Sequence, residues 1–162
     1  MDAAFHVVLY QPEIPPNTGN ILRLCAASGC VLHLVGPLGF RLDAAAVRRA
    51  GMDYGEWAAV TRWNYWSSYW QSHPPGARLF LVTTRGSMPY TACAYQNGDR
   101  FLFGAEGSGL PEAIHAAHPH HRIRIPMLAR ARSLNLANSV GIILYEALRQ
   151  LHFPGLLQEG GV

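Results

Sequence analysis

Apolar positions in this chain fall into short runs, and polar stretches rich in Gly and Pro separate them. Val7–Tyr10 is a continuous apolar run of the kind that forms a buried strand. The loop QPEIPPNTGN follows, and the pattern starts a helix near Asn17 or Thr18, both good N-caps, that stops at Gly29. Along that helix Ile21, Leu22, Leu24 and Cys25 share one side, and Asn20 and Arg23 lie a turn apart on the other. Val31–Val35 reads as a second strand, and Asp43 to Ala50 as a second helix with Arg48 and Arg49 in its last turn. Further strands are expected at Ala58–Arg62, Leu79–Thr84 and Arg100–Gly104, with helices over Trp63–Ser72 and Pro111–Ala117.

The most informative stretch is His121 to Tyr145, HRIRIPMLARARSLNLANSVGIILY. It opens as a strand, with Ile123 and Ile125 alternating against Arg122 and Arg124, and Pro126 ends it because proline cannot donate to a ladder. An apolar helix begins at about Asn138. Between them Ser133 and Asn135 stand among leucines, where a packed core accepts such residues only if their hydrogen bonds are met by something specific. Val140, Ile143, Leu144, Ala147, Leu148 and Leu151 cluster on the helix, and Gly141 and Tyr145 widen the apolar arc to roughly 200°. A helix packing on one core needs a stripe only a little wider than about 100°, so a second buried face, a homodimer contact, is expected.

Five or six strands alternate with helices, with no internal repeat or linker. That is an α/β domain with a mostly parallel sheet and helices on both faces, spanning residues 1–162. The last ~10 residues read as a loose tail, since termini order only when tied down.

Composition changes the picture in a few places. The chain has a net charge of +3, and all 13 basic residues are arginine. Codon bias accounts for an Arg-only composition, whereas placement carries more weight: Arg122, Arg124, Arg130 and Arg132 fall within eleven residues. Arginine forks suit phosphate and base recognition. Three cysteines, Cys25, Cys30 and Cys93, give neither paired spacing nor a zinc pattern. The run His115, His118, His120 and His121 is broken by Pro119 and reads as a solvated connection, so no metal is expected. The N-terminus reads as a first strand rather than a signal peptide, and no apolar run is long enough to cross a membrane. A cytoplasmic location follows as the expectation. The Trp63–Trp70 segment could stack bases, but such clusters more often cover a sheet face or a subunit contact.

Ligands of parallel α/β sheets bind beyond the carboxyl ends of strands. Three such ends are unusual here: Val82-Thr83-Thr84-Arg85-Gly86, Gly104-Ala105-Glu106-Gly107-Ser108-Gly109-Leu110-Pro111, and Ile125-Pro126-Met127 leading to Ser133. Three glycines with a lone Glu exceed what one turn needs, and glycine lets a ligand approach the backbone. The phosphate-binding G-x-x-x-x-G-K-[ST] loop, the dinucleotide fingerprint and the G-x-S-x-G nucleophile motif are all missing.

Three segments then match a known family in order and spacing: Asn17 to Arg23 (NTGNILR), Leu102 to Pro111 (LFGAEGSGLP) and Ile125 to Val140. Together they resemble the three motifs of the SPOUT RNA methyltransferases. The opening VVLYQPEIPPNTGN, the run RRAGMDY at Arg48–Tyr54 and the short length resemble the minimal members. Those members methylate the ribose 2′-oxygen of the wobble nucleotide of tRNA, cytidine or a modified uridine, with S-adenosylmethionine. The resemblance implies a C-terminal trefoil knot and a homodimer. It also implies cofactor contacts at Val82, Thr83, Gly104, Glu106, Gly109, Ile125, Met127, Ser133 and Leu134. Close relatives often read P-E-T-R-G where this chain has Ala105-Glu106-Gly107-Ser108-Gly109, so an arginine is absent at Ser108.

Methyl transfer from a sulfonium depends mainly on holding the ribose oxygen close to the methyl group. A guanidinium keeps its proton in proteins. Arg23 is therefore expected to grip the phosphate beside the target ribose, with Asn20 and Asn135 orienting the hydroxyl. Glu106 is expected to orient the cofactor loop. Arg48, Arg49, Arg130 and Arg132 are the candidate contacts to the tRNA anticodon loop. The alternatives are a methyltransferase of ribosomal RNA and a non-catalytic RNA-binding protein on the same fold.

Overall fold

The computed structural model describes residues 3–43, 45, 48 and 60–160. The strands are β1 (His6–Tyr10), β2 (Val31–Val35), β3 (Val60–Trp63), β4 (Leu79–Val82), β5 (Met88–Pro89), β6 (Arg100–Phe103) and β7 (Arg122–Arg124). The named helices are α1 (Pro15–Ser28), α2 (Trp66–Ser72), α3 (Glu112–Ala117) and α4 (Leu136–Gln150). One sheet orders the strands β3-β2-β1-β6-β4-β7-β5, and every pairing within it is parallel. The strand count is therefore seven. The addition is β5, two residues ending in proline, too short to leave a periodic signal.

Parallel strands buried on both faces alternate their side chains between two cores. Val7, Leu9, Phe101 and Phe103 pack with Ile21, Leu22 and Cys25 of α1 and with Val140, Ile143, Leu144, Ala147 and Leu148 of α4. On the opposite face Val8, Val35, Leu81 and Leu102 pack with Tyr69 of α2 and Ile114 of α3. Phe153 and Leu156, beyond α4, pack against the first core.

Several boundaries differ from the sequence expectation. Helix α1 starts at Pro15, with Ile14 as N-cap and prolines in its first two positions. Proline suits that place because its missing N–H is one the helix leaves unpaired anyway. Asn17 and Thr18 consequently sit inside α1 rather than capping it. Helix α4 starts at Leu136, and Asn135 is its N-cap. Trp63 belongs to β3, and α2 is shorter than expected. Within the expected Asp43–Ala50 helix only residues 45 and 48 are described beyond Asp43, and both are helical.

The aromatic segment covers the sheet. Tyr69 is fully buried, Trp66 and Trp70 stack 6.0 Å apart, and Trp70 stacks on His73 at 4.7 Å. Beneath α2, the Trp63 indole N–H donates to His33 Nδ1 at 3.1 Å. His33 Nε2 lies 2.9 Å from His6 Nδ1, so His33 is held as the tautomer protonated on Nε2. Burial, reinforced by His6, Arg100 and His73, pushes the His33 imidazole down to about 3. Among the described residues no helix is long and apolar enough to cross a membrane.

Candidate functional site

Strands β4, β6 and β7 are neighbours, so the three unusual strand ends converge at one carboxyl edge. The loop after β6 folds back on itself: Gly109 N–H donates to the Ala105 carbonyl at 2.9 Å, and Gly109 has φ +67°. Gly104 sits against that return. A Cβ there would lie 2.3 Å from the Gly109 carbonyl carbon, so no other residue fits without moving the loop.

Glu106 ties this loop to α1. Its carboxylate accepts the N–H groups of Glu13 at 2.7 Å and Ile14 at 3.2 Å, and the Asn17 side-chain amide at 3.4 Å. The tie is reciprocal, because Gly107 N–H donates to Glu13 Oε1 at 3.1 Å. Asn17 Oδ1 in turn accepts from Asn135 Nδ2 at 3.0 Å. Asn135 Oδ1 accepts the N–H of Asn138 at 3.1 Å, which is the N-cap bond of α4. The direction of this chain follows from its ends. A backbone N–H must donate to Asn135 Oδ1, which turns its NH2 to Asn17, and Asn17 then presents its own NH2 to a carboxylate that only accepts. One directed relay thus joins the three motifs.

Beside the relay lies a cavity of about 620 Å³, of the size that holds a nucleoside-sized ligand. All nine expected cofactor residues line it: Val82, Thr83, Gly104, Glu106, Gly109, Ile125, Met127, Ser133 and Leu134. Asn135 and Arg132 line it too. Ser133 and Asn135 are exposed at this cavity rather than buried, and Asn17 and Asn138 meet the hydrogen bonds of Asn135. The lining pairs apolar walls (Val82, Phe103, Ile125, Leu134, Leu136) with hydroxyls and amides (Thr83, Thr84, Ser133, Ser139, Asn17). That mixture fits S-adenosylmethionine, whose adenine needs an apolar slot and whose ribose and amino-acid ends need hydrogen bonds.

The expected catalytic set is split. Asn20 and Arg23 are exposed on α1 and do not line the cavity, and neither makes a side-chain hydrogen bond or ion pair with a described residue. Arg48 and Arg130 are exposed and outside the lining, and Arg49 lies outside the described residues. Arg122 does not face the cavity rim. Its guanidinium bonds the carbonyls of His115 and His118 at the end of α3, where a cation is favoured. Arg85 pairs with Glu112 at 2.6 Å on the surface. Asn17 and Glu13 were not among the expected site residues. The signal for Asn17 was its place in N-T-G-N, where its strong N-cap preference led to a different reading.

The SpoU rRNA Methylase family matches residues 4–145 of the chain. The tRNA (cytidine(34)-2'-O)-methyltransferase of Escherichia coli K12 is 50% identical over 151 residues, 93% of this chain and 96% of that protein. A solved structure described as giving structural insights into the 2-OH methylation of C/U34 on tRNA is 44% identical, with TM-score 0.83 and 91% of each chain covered. The SpoU methyltransferase AviRb of Streptomyces viridochromogenes, solved in complex with AdoMet, is 25% identical with TM-score 0.79, over 94% of this chain and 62% of that one. The convergence of the three motifs on one cavity and these similarities lead to one conclusion: the chain belongs to the SpoU methylase family of RNA methyltransferases.

Proposed function

We propose that the protein methylates the ribose 2′-hydroxyl of the wobble nucleotide of tRNA, cytidine or a modified uridine, using S-adenosylmethionine. The observation that carries this reading is the single cavity at which Asn17, Glu106 and Asn135 are wired together. Bound there, S-adenosylmethionine supplies an electrophilic methyl group on a sulfonium. Val82, Thr83, Gly104, Glu106, Gly109, Ile125, Met127, Ser133 and Leu134 form its seat. Gly104 and Gly109 let the loop close on it, and Glu106 holds that loop to α1. Asn135 orients the ribose hydroxyl at the cavity's edge, and Arg132 meets RNA phosphate at its rim.

Arg23 and Asn20 reach the chemistry through a second copy of the chain. Ile142 and Tyr145 are exposed on α4 at 36% and 40%, and Ser139, one turn before Ile142, lines the cavity. An apolar stripe therefore runs along α4 from the cavity outward. A two-fold partner covering that stripe also borders the cavity, and α1 packs directly beside α4. The exposed face of α1 thus presents Arg23 to the partner's cavity, where its fork grips the phosphate beside the target ribose and Asn20 helps orient the hydroxyl. Arg48 and Arg130 extend this positive surface toward the anticodon loop, and Arg49 is a further RNA contact. The C-terminal segment carrying Ser133 and Asn135 forms the trefoil knot, and the enzyme works in the cytoplasm with its tRNA.

Mass spectrometry of tRNA from a strain lacking the gene tests the reading. The wobble 2′-O-methyl group should disappear and return on complementation. If it persists in the deletion strain, the tRNA assignment is wrong.

A further inference from the structure

We infer that a second cavity on the carboxyl edge of the sheet takes one unstacked base of the RNA, a near neighbour of the nucleotide being methylated. The inference rests on the tRNA reading above. The cavity, of about 460 Å³, lies beyond the ends of β2 and β3 and is lined by Phe40, Arg41, Arg62, Trp63, Asn64 and Tyr65, among others. It opens on the same edge as the methyl-transfer cavity. Only β1 separates β2 from β6, so the two sites are about 10 Å apart at their nearest strands. An RNA loop seated at the first cavity passes the second.

The residue types point to a base rather than a phosphate or an apolar ligand. Single-stranded bases are recognised by stacking on aromatic rings and guanidinium planes, with amides or carboxylates reading their edges. Tyr65 is 61% exposed, a large ring left in solvent at the cavity. The Arg41 side chain is 90% exposed, and among the described residues it pairs with Asp43 at 3.6 Å, a contact of the kind that is worth little at a surface. Arg41 is therefore available to lie over a ring. Arg62 is fixed instead, through its bond to the Leu42 carbonyl, as part of the wall. Asp43 also lines the cavity, which disfavours a phosphate inside it but suits an exocyclic amine on a base. The floor is closed by Gly36, whose N–H donates to the Trp63 carbonyl at 2.8 Å. A Cβ on Gly36 would meet Leu38 N at 3.1 Å and the Asn64 carbonyl oxygen at 3.2 Å.

The test is a double-mutant cycle between protein and RNA. Binding is measured to a tRNA that loses its wobble methyl in the deletion strain, intact or with one anticodon-loop nucleotide at a time made abasic. The proteins are wild type, Tyr65→Ala and Arg41→Ala, with S-adenosylmethionine calorimetry on each as the check of folding. Tyr65→Ala should weaken tRNA binding about tenfold, the scale of one lost stacking contact, and leave cofactor affinity unchanged. One abasic position should weaken wild type by a similar factor and have no further effect on Tyr65→Ala. Arg41→Ala, on an exposed side chain, should show the same coupling more weakly. Wild-type tRNA affinity in Tyr65→Ala, or effects that multiply at every loop position in both variants, would overturn the base site while leaving the methyltransferase reading intact. Wild-type protein that binds S-adenosylmethionine but not the tRNA would overturn both.

Discussion

Asn135 donates its side-chain amide to the side-chain carbonyl of Asn17 across 3.0 Å, although 118 residues separate them in sequence. Asn17 is buried, with 7% of its surface exposed, and its own amide faces Glu106 at 3.4 Å. Loss of this amide should loosen the cavity from α1. Asn17→Ala should cost about 1 kcal/mol of stability, the net worth of a typical hydrogen bond, and slow methylation at saturating cofactor. Asn17→Asp should be worse, because it keeps the bond from Asn135 but sets a second carboxylate against Glu106. Denaturant unfolding and single-turnover methylation should both rank wild type above Ala and Ala above Asp. An Asp variant as stable as wild type would mean that the relay does not run as drawn.

Glu106 is occupied by three donors, two of them backbone N–H groups at the start of α1. A carboxylate so engaged is an anchor rather than a proton acceptor. Glu106→Gln keeps the shape but loses the charge and one acceptor site. It should lower stability by about 1–2 kcal/mol and weaken cofactor binding. Its single-turnover rate at saturating cofactor should fall less than about 100-fold. A rate fall on the order of 100-fold or more at unchanged cofactor affinity would make Glu106 the general base instead.

How far the chain could be read in advance depended on which forces left a local trace. Val7, Val8, Leu9 and Leu32–Val35 form near-continuous apolar runs because each residue faces one of two cores, and those strands were legible. The two-residue β5 has no such trace. The N-cap preference of Asn17 points to a local job that it does not perform, and Asn135, expected to orient the ribose hydroxyl, is also the N-cap of α4. Capping is a local preference, and nothing local distinguishes a cap from a long-range partner. Ile14 caps α1 without a side-chain bond because Pro15 and Pro16 have no N–H to satisfy, which frees Asn17 for the relay. The position of Arg23 relative to the cavity was not legible, because helix periodicity fixes its side of α1 and not what lies opposite that side.

His33 makes stability fall in mild acid. Its ordinary value of 6.5 applies to the unfolded chain, and burial beside Trp63, His6, His73 and Arg100 brings it to about 3 in the fold. The unfolded chain therefore binds the extra proton first. The stability tied to neutral His33 is complete above 6.5 and is lost as pH falls from there toward 3. The loss from this residue is about 4 kcal/mol at the bottom of that window. His33→Gln should be less stable than wild type at neutral pH, and the gap between the two should close as pH falls. Parallel denaturation curves at every pH would show that His33 does not titrate with unfolding.

Arg23 and Gly104 belong, on the proposed dimer, to the same active site from different chains. Arg23→Ala should fold normally, because the side chain is exposed and makes no bond to a described residue. Its single-turnover rate should fall on the order of 100-fold, as expected for loss of a positioning contact, and Arg23→Lys should restore part of it. Gly104→Ala should abolish cofactor binding through the 2.3 Å clash. Each homodimer is then inactive. If the subunits are unfolded together and refolded at equal amounts, half of the dimers are mixed. In each mixed dimer one site carries both defects and the other carries neither. Activity should return to about a quarter of wild type, as a two-fold shared site requires. If Arg23 instead serves the cavity of its own chain, every site in the mixture carries one defect and nothing is recovered.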